Sequence, residues 1–209
     1  MKKIMDKLLN TVKFDKKYVF FCLIILVLGV IAGSLFIVVL NDSDKNLVIE
    51  YIEKFINTIK QNDFNYLDTL KNTLLTNYLI IIIISIIGFT YFLVPINVVA
   101  LFYKSFVIGF SLSSFILTYK IKGLLLSIVY IFPHLIFNIL LISILVSFTL
   151  KLSINMINSI FKRKEINIRM YFNKYLYTFL FIMVLVTISS LYESFVAPFL
   201  LKLVINILI

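Results

Sequence analysis

SFVIGFSLSSFILTYKIKGLLLSIVYIFPHLIFNILLISILVSFTL, residues Ser105–Leu150, decides the fold. Apolar residues fill both sides of one short polar break, Lys120-Ile121-Lys122-Gly123. Apolar runs of about 18 residues or more are long enough to cross a bilayer, so the stretch reads as two membrane helices joined by a tight elbow. The first run carries Gly109, Ser111, Ser113 and Ser114, small side chains that let a neighbouring helix come close. The second carries Pro133, the single histidine His134, and Asn138 one turn later. Polar groups are costly in hydrocarbon, so these positions mark where the bundle packs or works.

The rest of the chain agrees with that reading. Of its 209 residues 62% are hydrophobic and only 14% charged, with a mean hydropathy of +1.07. This excludes an ordinary soluble domain and predicts an all-α, polytopic integral membrane bundle. The one cysteine, Cys22, excludes a disulfide framework or a cysteine metal cluster within the chain. A net charge of +10 would suggest nucleic acid in a soluble protein. Here the charges flank apolar runs, so membrane orientation and anionic lipid account for them, and no nucleic-acid partner is expected.

Residues 1–17 form a basic N-terminus, and 18–40 follow without a charge as the first span. This run is too long for a signal-peptide core of about 7–15 residues, so it is expected to be retained. Gly29 and Gly33 form a Gly-x-x-x-Gly pair on it, suited to packing within the chain, to self-association into a homo-oligomer, or to docking a partner's helix. Residues 41–72 are the one sizeable polar stretch outside the membrane. There Val48, Ile52, Phe55, Ile56 and Ile59 fall on one helical face opposite Glu50, Glu53, Asn57 and Lys60, with Asp42 or Ser43 as the N-cap. This amphipathic helix is expected to lie on the outer leaflet, pack on the bundle, or meet a partner through Tyr51, Phe55 and Ile59.

Residues 73–209 supply the remaining spans: 74–94, ended by Pro95; 105–119; 124–150; and 175–195. The 105–119 run is short for a hydrocarbon core of about 30 Å, so either Lys104 stands at the cytoplasmic surface or the span begins earlier and Lys104 snorkels to the headgroups. Residues 151–174 form a basic loop, and the apolar tail from Phe199 is expected in the outer interface. Five spans with the N-terminus in the cytoplasm place most Lys and Arg inside, as the positive-inside rule requires.

Catalytic constellations are absent from the pattern. A single histidine excludes an H-E-x-x-H zinc site, and no phosphate-binding Gly-rich loop occurs. No metal, cofactor or catalytic residue is expected. Ser111 and His134 raise an intramembrane serine hydrolase as an outside reading, similar to rhomboid proteases, although Leu112 stands where that family has glycine. A small-solute transporter or channel would have to line its path with His134, Asn138 and Ser111. The plainer expectation is structural: His134 bonds Asn138 at i+4 or a carbonyl freed by Pro133, and Glu193 sits near a span's outer end.

Five short stretches carry a resemblance: Leu28–Ser34, Ile108–Ser111, Lys122–Leu126, Phe132–His134 and Tyr192–Pro198. In this order and spacing they resemble the stage II sporulation protein M family of endospore-forming bacteria. The wider family often has an acidic residue where this chain has Asn138. The resemblance implies a non-catalytic scaffold in the bacterial cell membrane. It implies partners as well, stage II sporulation proteins P and D, which degrade peptidoglycan. Together they would act at the sporulation septum in wall thinning and forespore engulfment.

Overall fold

The structure is a computed structural model that describes residues 15–61, 63–90, 93–162 and 168–208. The basic N-terminus before Asp15 and the middle of the basic loop, 163–167, lie outside the described residues. Helix α1 (Lys16–Val39) is apolar all round, which suits lipid on most sides. Phe20, Leu35 and Val38 point away from the protein, while Cys22, Gly29, Gly33 and Ile37 are buried.

The polar stretch that follows is divided. Helix α2 (Asp42–Lys60) takes its first part, with Asn41 rather than Asp42 or Ser43 at the N-cap. The chain then turns, and α3 (Tyr66–Phe89) starts well before the apolar run. Asn65 explains the early start: its Oδ1 accepts from the Asp68 backbone N–H at 3.3 Å and its Nδ2 donates to the Asp68 carboxylate at 2.5 Å.

Helix α4 (Val94–Tyr130) begins at Pro95, whose missing N–H costs nothing in a first turn. It therefore includes the run read from sequence as a short third span and adds the preceding turns. At Lys120 the backbone leaves the helix (φ 54°, ψ −128°), and residues 121–130 fold back. This is the expected elbow. Gly123 makes it tight, since a Cβ there would strike the Phe115 carbonyl.

Helix α5 (Phe132–Lys162) is the axis of the bundle: 56% of its most apolar window is buried, against 17–33% for the other four long helices. Helix α6 (Ile168–Leu191) passes into a π-helical turn, Tyr192–Val196, and then into α7 (Ala197–Leu208). The apolar tail forms a helix that packs on the bundle. Ala197, Pro198, Leu201 and Ile205 recur on one face of α7 and are buried, packed against α4 and α2.

Five of these helices are long and apolar enough to cross a membrane. At one end of the bundle Asp15 meets Lys151 at 3.7 Å, an exposed pair that contributes little. At the other end, α2, the elbow and α7 form a layer over the spans. Ile52, Ile56 and Ile59 of α2 are buried there, and Phe55 meets Phe115 and Tyr130 with ring centroids 6.4 and 5.1 Å apart.

Candidate functional site: a buried polar cluster in the elbow half of the bundle

Helices α1 and α4 come together through glycine. A Cβ on Gly29 would lie 2.5 Å from Ser105 Cβ and 2.7 Å from the Phe102 carbonyl oxygen. On Gly33 it would collide with the Phe106 carbonyl, and on Gly109 with the Val30 carbonyl. Ser34 Oγ donates to the Gly109 carbonyl at 3.2 Å, satisfying a hydroxyl at the seam. Of the three uses that the Gly-x-x-x-Gly pair allows, the fold makes the one within the chain. Ser113 is half-buried one turn on, beside Ser114, which donates to the Phe110 carbonyl at 2.8 Å.

This seam also fixes depth. Gly29 lies about 20 Å along α1 from Lys16 at 1.5 Å per residue, and it touches Ser105. Lys104, the neighbour of Ser105, therefore lies well along the span-length helix Val94–Tyr130 rather than at its start, and it is half-buried. The earlier start that the sequence leaves open for this span is the one the helix takes: Pro95 lies in its first turn, which sets Lys104 more than two turns in from that end.

At this level four elements bring polar groups together. Glu193, in the π turn, accepts from Thr73 Oγ1 of α3 at 3.3 Å. His134 Nε2 of α5 stands 3.7 Å from the same carboxylate, Oε1, with 2% of the histidine side chain exposed and 18% of the glutamate's. Lys104 of α4 lies within electrostatic range of Glu193. Tyr130 presents its ring to the imidazole edge to face at 5.6 Å. A π turn holds an extra residue, a feature frequent at functional sites, and here it carries the carboxylate that reaches toward α5 and α3.

The cluster is under-satisfied. Both polar atoms of Asn138 and Ser194 Oγ are buried without a hydrogen-bond partner, and the His134 imidazole approaches the Tyr130 backbone carbonyl without a well-formed bond at Nδ1. The expected His134–Asn138 bond is therefore not formed: the nearest charged partner of the imidazole is Glu193, one helix away. Each unpartnered buried group costs about 1–3 kcal/mol, so water or a polar ligand is the natural occupant. Neither imidazole nitrogen hydrogen-bonds Ser111, so the pairing that a serine hydrolase requires is not assembled. Among the described residues no group of three His, Cys, Asp or Glu side chains is placed to hold a metal ion.

A second polar knot, which the sequence did not reveal, lies toward the Asp15–Lys151 end. Asn97 Nδ2 donates to the Ile84 carbonyl at 3.0 Å and to Thr149 Oγ1 at 3.3 Å. Tyr175 Oη donates to the Ser85 carbonyl at 3.2 Å. A lone asparagine, threonine or tyrosine in an apolar run gives no hint of which helix it will meet. Between the two knots, Tyr78 Oη and Thr187 Oγ1 share a 2.5 Å hydrogen bond that ties α3 to α6.

The α2 side chains singled out from sequence take different places. Ile59 is buried and Phe55 is engaged by aromatic rings, whereas Tyr51 remains 75% exposed.

The fold and this interior define an all-helical, multi-pass membrane protein that holds its helices with glycine seams and buried polar knots. The chain belongs to the stage II sporulation protein M family, whose model matches residues 21–198. No curated protein and no solved structure matches the chain. The match makes it a sporulation-related membrane protein.

Proposed function

We propose that this protein is a non-catalytic membrane scaffold. In this reading it gathers stage II sporulation proteins P and D, the peptidoglycan-degrading enzymes the family works with, at the sporulation septum for wall thinning and engulfment. The family match over residues 21–198 carries the proposal. The architecture supports it: the glycine faces are spent inside the chain, and a layer of α2, elbow and α7 stands at one end of the bundle. In this reading that layer faces the wall.

The docking surface would then be the outer side of α2, where Leu47 and Tyr51 are 63% and 75% exposed while the opposite side is packed. The test is affinity purification of the tagged protein from detergent-solubilised sporulating cells. Recovery of the wall hydrolases, with loss of about tenfold in a Leu47→Asp, Tyr51→Asp double variant, supports the scaffold. No wall hydrolase in any preparation overturns it. A small-solute transporter is the second reading, favoured by the polar cluster at His134 and Glu193, and solute flux into liposomes would support it instead.

A further inference from the structure

The arrangement around Glu193 goes beyond what helix packing needs. Glycine seams already hold α1 to α4, the Asn97 bonds already tie α4 to α3 and α5, and the Tyr78 bond ties α3 to α6. Yet the bundle also keeps a carboxylate and an imidazole 3.7 Å apart among its packed helices. At that separation the two groups are in ion-pair contact, too close for a water to stand between them, so a water could bond them only from the side. Buried polar atoms on Asn138 and Ser194 find no protein partner. A buried water ordinarily takes about three hydrogen bonds from groups of this kind. Independently, the helix that presents Glu193 opens into a π turn at that point.

We propose that His134, Glu193, Asn138 and Ser194 line a water-occupied, proton-exchanging site within the membrane-spanning bundle. Glu193 and His134 together hold the exchangeable proton, passing it directly between carboxylate oxygen and Nε2 when the two close to hydrogen-bond distance, and exchanging it with a water held beside them by Asn138 and Ser194. No other bond changes, and the proton comes from and returns to water. The titratable and charged groups that face the pair are Lys104 and Tyr130 from α4; α3 contributes only the neutral Thr73 hydroxyl. Lys104 offsets the carboxylate, so the pair can exchange a proton without leaving an isolated anion among the packed helices.

The chain contains a single histidine, so the site can be watched directly. The full-length protein would be labelled with nitrogen-15 histidine, reconstituted in phospholipid nanodiscs, and followed by solid-state NMR as pH is varied. We expect water-to-imidazole magnetisation transfer and a change of imidazole protonation state on acidification. Glu193→Gln should move the midpoint of that change by about one pH unit or more, a perturbation typical of a lost neighbouring charge. Asn138→Leu should remove the water transfer. An imidazole without water contact, fixed in one tautomer across the pH range in wild type, overturns the proposal. Should Glu193→Gln fail to fold, the wild-type water transfer and pH response decide alone: both present support it, either absent overturns it. The proposal is separate from the scaffold reading, since wall-enzyme co-purification can fail while the histidine still exchanges its proton.

Discussion

Gly29, Gly33 and Gly109 are positions where one methyl group decides how α1 meets α4. The groups their Cβ atoms would strike include backbone carbonyls of the opposing helix, which cannot rotate away as a side chain does. Gly33→Leu is therefore expected to force the helices apart and destabilise the protein by about 1–3 kcal/mol, the usual range for overpacking. Thermal unfolding in detergent, followed by far-UV circular dichroism, would read this as a lowered midpoint. An unchanged midpoint would mean that α1 is held elsewhere. Val38→Leu, on the 70% exposed lipid side of the same helix, should leave the midpoint unmoved. Asn97 supplies a second prediction at this scale. Asn97→Leu removes bonds to both Ile84 and Thr149. Because the Asn97 Oδ1 acceptor is itself unpartnered, the loss should be moderate, about 1 kcal/mol in the same assay.

Individual elements show what the sequence could and could not reveal. The elbow was legible, because two lysines and a glycine between apolar runs admit little else. Its strained residue was not: the positive φ falls on Lys120, whereas Gly123 is used for close approach to Phe115. Local pattern cannot tell these two uses of a turn apart. A non-glycine residue at such a φ costs about 1–2 kcal/mol. Lys120→Gly is thus expected to stabilise the protein, by roughly 1 kcal/mol after the extra entropy of glycine in the unfolded chain is charged against it. A raised unfolding midpoint confirms this, and a lowered one shows that the Lys120 side chain is needed. The amphipathic face of α2 was equally legible from its 3.6-residue period. Its receiver was not, since Phe115 and Tyr130 are far away in sequence. Phe55→Ala removes both ring contacts and should speed proteolysis between α2 and α3 while leaving the spans intact. The π turn at Glu193 had no sequence mark, for Tyr192–Val196 contains neither glycine nor proline.

At the scale of the whole molecule, the number of spans followed from composition, while the interior depended on contacts between distant runs. Lys104 shows the difference: its depth is set by where α4 starts and by the Gly29 contact, neither of which hydropathy measures. Charge predicts an orientation across the membrane that the fold alone does not fix. Lys16, Lys17 and Lys151 lie at one end, whereas acidic residues gather on α2 at the other. The positive-inside rule then predicts that the Asp15–Lys151 end is cytoplasmic and the α2–elbow–α7 layer external. Single cysteines in a Cys22→Ser background test this without altering charge. Asn46 and Ile121 are exposed at the elbow end, and Asn173 is exposed at the start of the last long span. A membrane-impermeant thiol reagent applied to intact protoplasts should label Asn46→Cys and Ile121→Cys, and should reach Asn173→Cys only after permeabilisation. The reverse pattern would turn the molecule over. It would put the α2 face on the cytoplasmic side, where no wall enzyme could meet it, and so would sink the scaffold reading together with the orientation.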